Sequence, residues 1–150
     1  MRVYIIFNKP TKDLLFRLGV TKLHGEISIH KVYEINDVLS EFKEGDTLVV
    51  SSIDVFDGAI ELYYALNLIS SISKGNFISL KEELFRIDSG CVEKELLKAV
   101  SLGVKLEEAW LKKLENCKED DKKKLEFLHM LKTMSMSILK GELKIKDIIQ

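Results

Sequence analysis

The feature that most restricts the fold is the segment from residue 47 to residue 80, where a strand signal, a long helical signal and a second strand signal follow one another. Residues 47–53 (TLVVSSI) form a short β-branched run of the kind that a sheet buries on both faces. From Asp57 to about Ser73, apolar residues recur at Leu62, Leu66, Ile69 and Ile72, the period of a helix with one buried stripe. Residues 77–80 (FISL) return to strand character. A strand, a crossover helix and a second strand make parallel neighbours in one sheet, joined by a right-handed connection.

The rest of the chain extends this unit. Residues 2–7 (RVYIIF) read as a third buried strand, adjacent and parallel to the other two. Asn8, Lys9 and Pro10 end it, and Thr11 caps a short helix through Leu18 that Gly19 closes. Residues 24–32 carry a weaker strand signal, in which Ile27 and Ile29 alternate onto one buried face. Asn36 is the expected cap of a helix over 37–43, with Val38, Leu39 and Phe42 on one side. Residues 81–90 read as an irregular connector. A helical stretch from Cys91 to about Asn116 is expected to be interrupted or kinked near Gly103. A second helix over 122–140 places Phe127, Leu131, Met134 and Ile138 on one stripe, and 143–149 add further helical turns. The expected architecture is α/β: a mostly parallel sheet of about four strands flanked by helices. This domain is expected to span 1–116, with a helical extension, 117–150, packed on it.

Composition narrows the function classes. At 150 residues and 46% apolar content, one domain with a real core is expected. Residues 1–8 lack a basic leader and a small-residue cleavage site, and no apolar run reaches membrane-spanning length. Cys91 and Cys117 have no CxxC spacing and suit a reducing compartment. A cytoplasmic protein without a membrane span is the expectation. Net charge is −1, with 5 basic against 8 acidic residues in 51–100 and 11 against 9 in 101–150. Nucleic-acid binders neutralise phosphates with basic stripes, and none is evident. The nearest run, Lys122–Lys124, follows Glu119, Asp120 and Asp121, acids suited to a helix start.

The order and spacing of residues 44–80, EGDTLVVSSIDVFDGAIELYYALNLISSISKGNFISL, resemble the centre of the serine recombinase (resolvase/invertase) catalytic domain. In that family a Gly-Asp turn leads into a buried strand, a helix rich in Leu and Ile follows, and a Gly turn precedes a strand like FISL. The resemblance covers about residues 1–116 and is closest in the middle third. It implies a resolvase-like fold, and a long helix after the fourth strand that makes the dimer contact.

The same resemblance implies positions for the chemistry, and this chain departs from the family at each of them. Anchored on Thr11, Pro10 stands where the family has its nucleophilic serine, and Asn8 where it has an arginine. Ile53 and Asp54 keep a hydrophobic-Asp pair, but Val55 and Gly58 stand at the positions of two further arginines. Guanidinium forks stabilise the charge that develops on an attacked phosphodiester, and lysine does not replace that geometry. The chain has three arginines, Arg2, Arg17 and Arg86, none at a matching position.

Other constellations are weaker. Ser51 and Ser52 close the strongest strand near Asp54, but without a nearby histidine or a nucleophile elbow they read as strand-end hydroxyls. His24, His30 and His129 have no metal-ligand spacing, and the glycines form neither a P-loop nor GxGxxG. No catalytic residue, cofactor or metal is therefore assigned. Glu107, Glu108, Lys112, Lys113 and Glu115 read as exposed helix decoration. Residues 139–150 faintly echo a helix-turn-helix, with no recognition helix after them.

The favoured expectation is a catalytically inactive recombinase-like domain, accessory or regulatory, with weak or absent DNA binding. It is expected to form a homodimer, or a heterodimer with a related recombinase, through Leu96, Val100, Val104, Trp110 and Leu114. The alternatives are a site-specific recombinase with a rearranged active site, and an unrelated α/β enzyme for a small phosphorylated ligand.

Overall fold

The computed structural model describes residues 1–116 and 120–149, with side chains described through 116 and from 120 to 140. The chain forms two compact units, Met1–Val55 with Tyr64–Leu96, and Phe56–Tyr63 with Leu97–Gln150. Cys117 and Glu119 lie outside the described residues.

The first unit is built on a five-stranded sheet: β1 (Arg2–Ile6), β2 (Glu26–His30), β3 (Thr47–Val50), β4 (Asn76–Ser79) and β5 (Arg86–Ile87). Their spatial order is β2-β1-β3-β4-β5. The pairs β1–β2, β1–β3 and β3–β4 are parallel, as the apolar runs at 2–7, 47–53 and 77–80 require. Strand β5 is an addition within the segment expected to be irregular. It pairs antiparallel with β4, matching Phe77 with Ile87 and Ile78 with Arg86.

Helix α1 (Lys12–Val20) starts as the sequence dictates, with Thr11 Oγ1 accepting from the Leu14 amide at 3.2 Å. It does not close at Gly19; the last bond runs from the Thr21 amide to the Leu18 carbonyl. Leu14 packs with Val3, Ile5, Val49 and Leu80 on one face of the sheet. On the opposite face Tyr4 meets Phe42, the residue that ends helix α2 (Ile35–Glu41), at a ring separation of 6.0 Å. Helix α2 begins before Asn36, because a 3₁₀ turn at Val32–Glu34 leads directly into it.

Strand β2 is present, but its faces are reversed from the expectation. Ile27 and Ile29 are exposed, whereas Ser28 and His30 are half-buried, His30 lying 5.6 Å from the Tyr4 ring. Alternation marks two faces without saying which one a helix covers. The register pairs Ile27 with Val3 and Ile29 with Ile5, so both isoleucines share the α1 face. The buried side chain of α1 is Leu14, which packs with residues of β1 and β3.

Helix α3 (Ala59–Asn67) runs into a π-helical turn, Leu68–Ile72. Leu62, Leu66 and Ile69 are fully buried, but Ile72 is exposed. The wider turn rotates it off the stripe.

The second unit holds the start of α3, helix α4 (Lys94–Glu115) from Leu97 onward, and α5 (Asp121–Ile149), the last capped by Asp120, whose Oδ1 accepts from the Lys123 amide at 2.8 Å. Helix α4 passes through Gly103 unbroken. A Cβ there would stand 2.9 Å from the Ala59 Cβ, so the glycine serves close packing and not a break. Among the described residues of α5, Leu131, Ser135, Met136 and Leu139 are buried, and of the four residues read as one stripe Phe127, Met134 and Ile138 are exposed and Leu131 is buried.

Glu107 departs most from expectation. It is 1% exposed and was expected on the surface. Its Oε1 accepts from the Ala59 amide at 2.6 Å and its Oε2 from the Ile60 amide at 3.2 Å. The Ser135 hydroxyl donates to the same Oε1. The carboxylate thus takes up orphan amides at the positive end of α3. Replacing Glu107 by Ala should cost about 3 kcal/mol, because it leaves buried donors unpaired and opens a void. Glu107→Gln should cost less, keeping one acceptor. Urea unfolding of the three proteins checks this order; equal midpoints for wild type and Glu107→Ala would refute it.

Candidate functional site

Open α/β sheets bind ligands at the carboxyl ends of their parallel strands. In this chain that edge is formed by the residues following β1, β3 and β4. Ser51 is fully buried, and its hydroxyl is used in both directions: it accepts from the Asn8 amide at 2.8 Å and donates to the Asn8 carbonyl at 3.3 Å. It fastens the end of β3 to the end of β1. Ser52, 6% exposed, lies 2.9 Å from Glu82 Oε1 and 3.2 Å from Asp54 Oδ2, and it accepts from the Asp54 amide. One hydroxyl proton serves these two carboxylates.

Glu82 joins the strands. Besides Ser52, its oxygens accept from the Ser79 hydroxyl at 2.7 Å and the Ile53 amide at 3.1 Å. Its role carries no periodic signature in the sequence, since it sits in the loop after β4 and becomes a bridge only when β3 and β4 are adjacent. Chemically this edge is a closed hydroxyl–carboxylate network. A nucleophilic serine needs an exposed oxygen and a base to take its proton, whereas these two hydroxyls are buried and committed to strand ends.

Pro10 is exposed between β1 and α1, and Asn8 is half-buried with its backbone held by Ser51. Val55 is buried. Gly58 has φ +105, and a Cβ added there would stand 2.6 Å from Glu107 Oε1, so position 58 has no room for an arginine side chain. Of the arginines, Arg17 donates to the Leu80 carbonyl at 2.8 Å and pairs with Asp13 at 3.1 Å, while Arg86 pairs with Asp88 at 3.1 Å. Both line a depression of about 380 Å³ with Val20, Ile78 and Phe85, and both point their charge at neighbouring acids or carbonyls. Among the described residues no three His, Cys, Asp or Glu side chains converge as metal ligands.

The five residues expected at an interface do not share one exposure. Leu96 and Val100 are buried, Val104 and Leu114 are half-buried, and Trp110 is 47% exposed with the Lys113 ammonium 4.7 Å from its ring centre. Leu114 lines a cleft of about 450 Å³ with Leu111, Leu125 and Leu128. No helix among the described residues is long and apolar enough to cross a membrane. Comparison with protein families, curated proteins and solved structures finds no match.

Glu82→Ala should destabilise the fold by about 2 kcal/mol, as three donors lose their shared acceptor. Ser52→Ala should cost about 1 kcal/mol. Thermal melting checks both; a Glu82→Ala protein as stable as wild type would contradict the bridging role.

Proposed function

We propose that the chain is a serine-recombinase-like domain without recombinase chemistry, acting through protein contacts as an accessory or regulatory module. Its partner is a second copy or a related recombinase. The supporting observation is the state of the positions at which the resemblance would put chemistry. Position 10 is a proline, position 55 is buried, and position 58 is a glycine backed by the Glu107 carboxylate. A phosphate there would meet neither a nucleophile nor a guanidinium.

Support for the contact surface comes from the helices. A 22-residue helix, α4, follows the sheet where the resemblance implies one. Since Leu96 and Val100 are occupied within the chain, the contact centres on Trp110, with exposed Leu102 on the same helix. Large aromatics at interface centres dominate binding energy.

Two outcomes are expected. Incubation with duplex DNA yields no cleavage and no covalent adduct; a phosphoseryl-DNA adduct at Ser51 or Ser52 would overturn the reading in favour of a rearranged active site. Trp110→Ala weakens self-association, or binding to a related recombinase, about thirtyfold, the equivalent of about 2 kcal/mol, without lowering the melting temperature. Analytical ultracentrifugation across concentration measures this, and unchanged association would remove Trp110 from the interface.

A further inference from the structure

Strand β2 is the open edge of the sheet, with β1 as its one neighbour. Along a strand, the N–H and C=O of one residue point to the same side, and successive residues alternate. The Glu26 amide donates to the Met1 carbonyl at 3.1 Å. Glu26, Ser28 and His30 therefore turn their backbone groups toward β1, and Ile27 and Ile29 turn theirs outward. Such an edge is a template for another strand unless charged side chains, proline or a bulge blunt it. Glu26–His30 contains no proline, lysine or bulge, and its one acidic residue, Glu26, stands at the end of the strand. The Ile27 and Ile29 side chains are 52% and 76% exposed, and α1 adds exposed Leu15, Phe16 and Val20.

We propose that β2 pairs antiparallel with β2 of a second copy of this chain, about a two-fold axis through Ser28, joining the two sheets into one. The sequence Glu-Ile-Ser-Ile-His is self-complementary in this register. Ile27 lies opposite the partner's Ile29, and symmetry repeats the pair. These are the residues whose backbone groups face outward, so each pair exchanges both of its hydrogen bonds. The four isoleucine side chains gather on one face. On the other face Ser28 lies opposite itself and Glu26 opposite the partner's His30, whose Nε2 is already held by Ser28 at 2.8 Å and whose Nδ1 lies 3.7 Å from Glu34, so the isoleucine face carries the match.

The ladder has defined ends. Gly25, at φ +129, leaves strand geometry on one side. On the other, the Lys31 amide is already taken by the Glu34 carboxylate at 2.9 Å. An arbitrary extended peptide could satisfy the outward amides, but only a second copy supplies the reciprocal isoleucine pairs in this register. The surface shares no residue with the one around Trp110, so the two proposals stand or fall separately.

The test uses the full chain with Cys91→Ser and Cys117→Ser, to which Ser28→Cys is added. In the proposed pairing the two Cα atoms at position 28 lie about 4.5 Å apart, within disulfide reach. In a glutathione redox buffer this protein should form a disulfide-linked dimer at least about tenfold faster than one carrying Ser40→Cys, an exposed site on α2. Adding Ile29→Lys should slow cross-linking about tenfold with an unchanged circular dichroism spectrum and melting temperature, because a charge then enters the isoleucine cluster. Trp110→Ala should leave the rate unchanged. In the wild type, amide exchange at Ile27 and Ile29 should slow as protein concentration rises. Cross-linking at 28 no faster than at 40, or amides at 27 and 29 whose exchange ignores concentration, overturns the proposal.

Discussion

Glu107 places a carboxyl group where water hardly reaches, and the second unit is arranged around satisfying it. A lone buried carboxylate would cost several kcal/mol, so its partners are as constrained as the residue itself. The amides of Ala59 and Ile60 supply the start of a helix, and Ser135 supplies a hydroxyl from α5. Gly58 must be glycine on two counts: its φ is positive, and the Glu107 oxygen occupies the space a side chain would need. Gly103 follows from the same arrangement, since α4 approaches Ala59 too closely for a Cβ. The short sequence Asp57-Gly58-Ala59 is thus written by a residue about fifty positions away, and Asp57 is itself tied to α5 by Lys132 at 2.8 Å.

That constraint bears on function. On the proposed recombinase-like reading a guanidinium would stand at position 58, where this chain has a glycine backed by the Glu107 carboxyl. At the carboxyl edge of the first unit, serine hydroxyls are likewise consumed: Ser51 ties β3 to β1 through the Asn8 backbone, and Ser52 and Ser79 meet at Glu82, which joins β3 to β4. In both places, polar groups of the kind used for catalysis are satisfied by the protein's own backbone and side chains. The proposed contact role draws on this arrangement: these polar groups are engaged within the protein, while apolar side chains stand exposed on β2, α4 and α5.

Much of this was legible from residue order. The three parallel strands announce themselves as β-branched runs separated by crossover segments. Strand β5 does not, because Arg86–Ile87 is two residues long and exists only through pairing with β4. The exposure of Ile27 and Ile29 was illegible because it depends on which strands α1 reaches. Glu107 was hidden by its neighbours, for in Leu-Glu-Glu-Ala-Trp either glutamate could face outward. A signal was nevertheless there: Leu96, Val100, Gly103, Glu107, Leu111 and Leu114 fall on one helical stripe, so the first of the two acids had to face inward. Glu82 left no such trace, because loop residues acquire partners only from the tertiary arrangement.

The central claim, that this domain works by contact and not by chemistry on DNA, is tested most directly by the salt dependence of its DNA affinity. Fluorescence anisotropy of a labelled duplex, titrated with the chain at about 50 and about 200 mM salt, reads the phosphate contacts that any DNA-processing role requires. The account predicts weak retention at low salt that vanishes at the higher concentration, with no preference among sequences. Saturable, sequence-selective binding that survives about 200 mM salt would contradict it.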